Sequence, residues 1–302
     1  MTYRDTTSPS AKPRGRVGAS DAKLSRTSLS HVALRTPDVE AMTRFYVTTM
    51  GLIPEPAVGD EPGVRLGWGQ GYHALELLEG PKGLDHFGLE IGDLGGHLEL
   101  AERLQTRGIE LQELDDGATV CVHDPDGNAV HLHGGVSRAG EHAADPGRRP
   151  VRIQHATLAT SSIEPMIDFY LGLGFRLTDR MDGVFAWLRS NVEHHSVAIV
   201  DVGRGGGLDH YSFDLDSWVD FKVWADRATD LGIVVQWGPG RHGPGNNLFL
   251  FFDDPDGNHI ELSAEMERFF DDRAQYEPRI WSAEPKTINL WGGQLPRWRG
   301  VA

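Results

Sequence analysis

The chain has 302 residues, 39% of them hydrophobic and 24% charged, and a formal net charge of −15 at neutral pH. Such length and balance accommodate two ordinary globular domains, while the acidity argues against nucleic acid and anionic membrane as partners, because phosphate recognition needs concentrated Lys and Arg. The one cysteine, Cys121, rules out a disulfide framework and a thiolate metal site and suits a reducing, cytoplasmic setting; no apolar run reaches the length of a membrane span.

Residues 1–28 are rich in Ser, Thr, Gly and Pro with scattered basic residues and are predicted to be a disordered tail. A first domain is expected over 29–136. It opens on the strand "SHVALRT", passes into a helix that stops near Gly51, restarts at "GLDHFGLEI" from Gly83, and closes on the turn "DPDGN" at Asp124–Asn128, which runs on as "AVHL". Asp-Gly in such a turn, between alternating runs, signals a hairpin. Residues 137–150, rich in Gly, Ala, Arg and Pro, read as a linker.

The second domain, 151–265, repeats the first. "QHATLAT" answers "SHVALRT", "GLDHYSFDL" answers "GLDHFGLEI", and "DPDGN" recurs at Asp254–Asn258 before "HIEL". His31 to His86 and His155 to His210 both span 55 positions. In "IEPMIDFYLGLGF" the residues Ile163, Met166, Ile167 and Tyr170 recur at helical spacing, with Ser162 as the expected N-cap and Gly172 and Gly174 as stops. The pattern predicts an α+β protein of tandem βαβββ modules, two per domain. Residues 266–302 fall outside the repeat, and their aromatic content predicts packing on the body or at an oligomer interface.

Chemistry concentrates at the repeated strand positions. Strict alternation places Val151, Ile153, His155, Thr157 and Ala159 on one face, His210 shares a face with Leu208, and Glu261 faces away from Ile260 and Leu262. Singly, a strand histidine is more often a hydrogen-bonded core residue and a strand glutamate a solvated one. Two imidazoles and a carboxylate at duplicated positions instead suit one face of a non-haem metal(II). The first copy has His31, His86 and His131, with His131 at the place of Glu261, and three imidazoles also form known zinc and iron sites. His73 corresponds to His195.

On these residues the sequence, from about Ser30 onward, resembles the vicinal oxygen chelate superfamily, and within it the two-domain type I extradiol catechol dioxygenases of the homoprotocatechuate and catechol 2,3-dioxygenase kind. The resemblance implies two half-open barrels, the first non-catalytic, with His155, His210 and Glu261 holding iron(II), or manganese(II) as the alternative, and dioxygen as co-substrate. It further implies His195 in "NVEHHSVAIV" as acid-base residue, His242 in "GPGRHGPGN" as a second catalytic histidine, Trp187 and Asn246 as substrate contacts, a small aromatic diol as substrate, and a homo-oligomer, dimer or tetramer. Phe251 stands where that family commonly has a tyrosine, and a phenyl ring can neither donate nor accept a hydrogen bond. Three other readings compete: cleavage of a hydroquinone or other unusual aromatic, a glyoxalase-like isomerase, and a drug-binding protein of the same fold that needs no metal.

Overall fold

Alternating strands joined by Gly-bearing turns fold into two mixed sheets. The computed structural model describes residues 27–56, 63–69, 72–91, 102, 104–114, 119–134, 149–270 and 277–292. The first module comprises β1 (Ser28–Thr36), α1 (Val39–Phe45) with a widened helical turn over Tyr46–Met50, β2 (Ile53–Pro56), β3 (Gly63–Gly69) and β4 (Tyr72–Glu79). The second has β5 (Gly83–Ile91), β6 (Gln112–Glu113), β7 (Thr119–His123) and β8 (Ala129–Gly134); most of its expected helix lies outside the described residues, as do 1–26 of the N-terminal tail and 135–148 of the linker region.

The third module is β9 (Arg152–Thr160), α2 (Ile163–Gly172), β10 (Arg176–Met181), β11 (Phe185–Arg189) and β12 (Val197–Asp201), and the fourth β13 (Leu208–Asp214), α3 (Trp218–Asp230), β14 (Trp237–Arg241), β15 (Leu248–Asp253) and β16 (His259–Ala264). Ile163, Met166, Ile167 and Tyr170 of α2 are all buried. Ser162 precedes that helix but makes no side-chain cap bond; its N–H donates to Thr160 Oγ1 at 3.0 Å instead. Part of the C-terminal segment docks on the body: β17 (Arg279–Ile280) adds to β10 in parallel, followed by α4 (Pro285–Ile288).

The sheet orders are β2-β3-β4-β1-β5-β8-β7-β6 and β14-β15-β16-β13-β9-β12-β11-β10-β17. At the centre of each, the first strands of two modules pair antiparallel, β1 with β5 and β9 with β13. Each is flanked on its other side by the last strand of its own module, in parallel: β4, β8, β12 and β16. The two halves of a sheet are therefore related by a pseudo-twofold axis between the central strands. Buried Val32, Leu34 and Phe87 from the first sheet join Ala156, Leu158 and Tyr211 from the second in one continuous core.

The two DPDGN turns share one internal design. Asp124 Oδ1 accepts from the backbone N–H of Asp126 and Asn128 at 3.0 and 2.9 Å, and Asp254 does the same with Asp256 and Asn258. Gly127 and Gly257, at φ 85 and 83, close the turns in the left-handed region open to glycine. The remaining carboxylate oxygen of each reaches into the other half of the molecule. Tyr46, at the end of the first helix, donates to Asp254 Oδ2 at 2.7 Å and also meets the Tyr211 hydroxyl; Tyr170, at the same place in the repeat, donates to Asp124 Oδ2 at 3.2 Å. All of these groups are buried. Losing one buried hydrogen bond to a charged acceptor costs about 1–3 kcal/mol. Tyr46→Phe is expected to lower the unfolding free energy by that amount, seen as a lower denaturant midpoint with an unchanged slope, and Tyr170→Phe, with the longer bond, by less.

Candidate metal centre

Each central histidine of the second sheet is preceded by a residue that its neighbouring strand cannot pair. His155 lies opposite Ser212 and Ile153 opposite Phe213, so Gln154 is extra; His210 lies opposite Thr157 and Leu208 opposite Leu158, so Asp209 is extra. Such bulges re-aim side chains. They also correct the strict alternation expected for this strand: Ile153 does not share the face of His155 but packs in the core with Ala156 and Leu158, while His155 and Thr157 line a cavity.

The extra residues determine which imidazole nitrogen is bare. Asp209 Oδ1 accepts from His210 Nδ1 at 2.6 Å. Gln154 donates its amide to Asp214 Oδ1 at 2.8 Å, which turns its carbonyl oxygen toward His155 Nδ1 at 3.2 Å. In its neutral form each ring would keep the proton on Nδ1 and turn an Nε2 lone pair inward, that of His210 also meeting Thr157 Oγ1 at 2.9 Å; an acceptor behind the ring in this way orients a metal ligand. Those lone pairs meet a carboxylate. Glu261 Oε2 is 2.8 Å from His155 Nε2 and 3.5 Å from His210 Nε2, and the ligand atoms of the three lie within 4.8 Å of one another. All three residues are buried.

Electrostatics agree with a site built for positive charge. Burial opposes ionisation of Glu261, yet the surrounding imidazoles, His155 foremost, hold its carboxyl well below the usual range. Burial also opposes a charge on His210, but Asp209 and Glu261 outweigh it and push the group up to about 9. For His155 burial prevails over Glu261 and the shift is downward. Two imidazoles, one carboxylate and strand-borne positions around an open cavity fit a divalent ion with free coordination positions.

A cavity open to solvent lies beside the three residues and is lined by His155, His210 and Glu261 themselves. Phe185 and Trp187 stack at 4.5 Å on one wall, and Phe251, Trp237 and Ile288 complete the apolar lining. His195 lies against His155, ring centroids 4.3 Å apart. Its Nδ1 meets His194 Nδ1 at 3.0 Å, and His194 Nε2 donates to Asp179 Oδ2 at 3.0 Å. The proton between the two rings therefore sits on His195 Nδ1, leaving Nε2 as an acceptor. His242 donates through Nδ1 to the Ile288 carbonyl at 2.6 Å and brings Nε2 to 3.7 Å from Glu261 Oε1.

Of the residues singled out from sequence, His155, His210, Glu261, His195, His242, Trp187 and Phe251 are brought together around this cavity. Asn246 is not. At φ 51 it occupies the left-handed region, is exposed, and leaves the cavity to Asn247, whose Nδ2 donates to Glu261 Oε1 at 3.2 Å and to Ser263 Oγ at 2.9 Å. Asn247 Oδ1 has no hydrogen-bond partner among the described residues. Sequence reasoning also missed Asp179, which no local motif marks, and Ile288, which arrives from the C-terminal segment.

The first sheet places its histidines alike. His31 and His86 meet edge to face at 5.2 Å and 84°, against 5.7 Å and 84° for His155 and His210. His73 sits 4.6 Å from His31, as His195 does at 4.3 Å from His155. His131 stacks on His86 at 3.7 Å. Burial, then Arg65 and neighbouring imidazoles, pushes His73 down to about 3.

The sequence model of the Glyoxalase/Bleomycin resistance protein/Dioxygenase superfamily matches residues 28–132 and 152–262. The chain belongs to that superfamily. It is 28% identical to a metapyrocatechase 2 of Cupriavidus necator, across 97% of this chain and 98% of the relative, and 25% identical to an iron-dependent extradiol dioxygenase of Rhodococcus jostii, across 89% and 97%. Among solved structures it resembles a Mn(II)-bound glyoxalase from Novosphingobium aromaticivorans, with 26% identity, a TM-score of 0.77, and coverage of 89% of this chain and 92% of the other.

Asp179 ties the C-terminal segment to the cavity. Fully buried, it accepts from His194, from Arg279 Nε at 2.8 Å and from Trp281 Nε1 at 2.7 Å. Burial works against its ionisation, but His194 and Arg279 hold its carboxyl below the ordinary range. A depressed carboxylate stabilises the fold above its unfolded-state range, and that contribution disappears as pH falls through the folded value. Asp179→Asn should cost at least about 3 kcal/mol at neutral pH, flatten the acid limb of the stability profile, and expose residues 277–292 to limited proteolysis.

Proposed function

We propose that the chain is an extradiol ring-cleaving dioxygenase, acting on a catechol-type aromatic with dioxygen at a mononuclear non-haem iron(II) site, with manganese(II) as the alternative occupant. The observation that carries this reading is the convergence of two oriented imidazole lone pairs and the Glu261 carboxylate on an aromatic-walled cavity that also holds the acceptor nitrogen of His195. His155, His210 and Glu261 would hold the ion. When bound, it supplies a template on which diol and dioxygen are adjacent and electron density can pass between them.

The protein's own residues account for the remaining requirements. Trp187, Phe185 and Phe251 suit a flat apolar ring. His195, neutral with its bare Nε2 toward the cavity, accepts a phenolic proton; the charge it then carries is spread through His194 toward the Asp179 carboxylate. His242 offers a second acceptor near Glu261. Phe251 leaves no hydroxyl at its position, so proton handling falls to the two histidines. The names of the metapyrocatechase and iron-dependent relatives support this assignment. The glyoxalase neighbour favours, as a second reading, an isomerase that uses the metal without oxygen.

The same reading takes residues 29–136 and 151–265 as the two domains, with catalysis in the second, and a cytoplasmic homo-oligomer. Exposed Phe270, Ile280 and Trp291 offer apolar area for a dimer or tetramer contact; light scattering after size exclusion measures its size.

Anaerobic loading with iron(II), followed by a catechol panel in an oxygen electrode with near-ultraviolet and visible absorbance, tests the activity. Oxygen uptake with a coloured ring-opened product is expected; metal binding without oxygen uptake, with turnover of a thiol hemiacetal, would establish the isomerase. His195→Gln is expected to lower kcat by about 10²–10⁴-fold with metal content unchanged. Phe251→Tyr should retain the fold and alter the pH profile, and an unaltered profile would remove position 251 from the proton path.

A further inference from the structure

The first sheet contains the same bulge device. β1 carries Ser30 as an unpaired residue before His31, and β5 carries Asp85 before His86. His86 Nδ1 donates to Asp85 Oδ1 at 2.7 Å, leaving Nε2 bare. The Gly134 carbonyl can only accept, so His133 Nδ1, 2.8 Å away, donates to it and His133 Nε2 accepts from the Ser30 hydroxyl at 2.7 Å. Ser30 in turn accepts from His31 Nδ1 at 3.0 Å. His31 Nε2 is therefore bare as well, and the two lone pairs face each other at 3.1 Å.

Two further acceptors surround them. Glu76 Oε2 lies 3.9 Å from His86 Nε2, its other oxygen held by Arg65 Nε at 3.2 Å. Among the described residues His73 Nε2 is buried without a hydrogen-bond partner, and His73, His31 and Glu76 offer ligand atoms within 4.8 Å of one another. One proton shared between His31 and His86 joins a single pair, whereas a cation beside His31 would meet several of these groups at once. We propose that His31, His86 and Glu76, with His73 as fourth donor, form a second divalent-metal site, of the zinc(II) class that three imidazoles and a carboxylate suit.

The carboxylate stands at a position the fold marks out for it. In the second sheet Ser212, opposite His155, has Glu261 as its parallel neighbour. The pseudo-twofold image of that relation in the first sheet is Ala33, opposite His86, with Glu76 as its parallel neighbour. The alternative places hold His131 in one sheet and Ala198 in the other. Room for the His31 ring comes from Gly88, where a Cβ would fall 2.2 Å from His31 Cε1; the repeat has Ser212 there.

Titration of chelator-stripped protein with zinc(II) in a calorimeter tests the proposal without reference to activity. Two equivalents are expected. Glu76→Gln should weaken one class by more than about 100-fold, since outer partners of metal ligands already account for 10–100-fold, and Gly88→Ala should weaken the same class. Glu261→Gln should weaken the other. A single equivalent in the parent protein, or two equivalents both indifferent to Glu76→Gln and Gly88→Ala in folded variants, overturns the proposal. The parent stoichiometry decides if the variants do not fold. Two equivalents in the parent protein, of which Glu76→Gln loses one and Glu261→Gln loses neither, uphold this site and defeat the metal assignment of the preceding reading.

Discussion

A polar residue that the sheet cannot pair precedes each of the central histidines: Ser30, Asp85, Gln154 and Asp209. A β-bulge lets such a residue and its neighbour lean toward the same side, and here that proximity lets the extra side chain accept the Nδ1 proton of the next imidazole. Orientation, tautomer and direction of the lone pair thus follow from one local irregularity. Without the bulge, strict alternation would send Gln154 or Asp209 to the opposite face, and the ring would lack the acceptor that keeps its Nε2 bare. The core benefits from the same irregularity, because Leu29 and Ile153 return to the apolar side on which Val32 and Ala156 pack.

Holding two such sheets in register requires a second device, and the DPDGN turns supply it. Each aspartate gives Oδ1 to the backbone of its own turn, while its Oδ2 accepts both from the asparagine of that turn at 2.8 Å and from a tyrosine hydroxyl of the other half. Burial raises the carboxyl groups of Asp124 and Asp254, against the bonds from Asn128, Asn258 and the tyrosines. The turn is rigid because its aspartate is satisfied internally, and it can therefore serve as a fixed anchor for the partner domain. Reciprocity follows from duplication: Tyr46 and Tyr170 occupy the same step of the repeat, so one sequence motif makes both contacts.

Much of this was legible in the sequence because duplication makes it so. The spacing from His31 to His86 and from His155 to His210 carried the strand register, and the paired DPDGN segments located the last hairpin of each half. What escaped depended on departures from regularity. A bulge has no reliable signature in one sequence, so Ile153 was assigned to the wrong face. The left-handed residue in the "GPGRHGPGNN" loop shifts the inward side chain by one, from Asn246 to Asn247. Ile288 reaches the cavity from a segment outside the repeat, and Asp179, though inside the repeat, acts on the cavity only through its tertiary contact with His194. Glu76 was obscured for another reason: comparison of the two copies aligns it with Ala198, and only the symmetry within a sheet aligns it with Glu261.

That internal symmetry bears on why one copy ends in a carboxylate and the other in an imidazole. Each sheet offers two strand positions beside its histidine pair that the pseudo-twofold axis makes equivalent, on β4 and β8 in the first and on β12 and β16 in the second. The second sheet places Glu261 on its last strand and the small Ala198 opposite, which leaves the space beyond His155 to His195 and the cavity. The first sheet reverses the choice, with Glu76 on β4 and His131 stacked over His86. A carboxylate at both places would cancel the whole charge of a divalent ion, and at neither would leave only neutral donors. One acid per sheet, on opposite sides of the axis, meets the electrostatic demand in both halves while making their cavities differ: the second is open toward aromatic walls, the first is crowded by imidazoles.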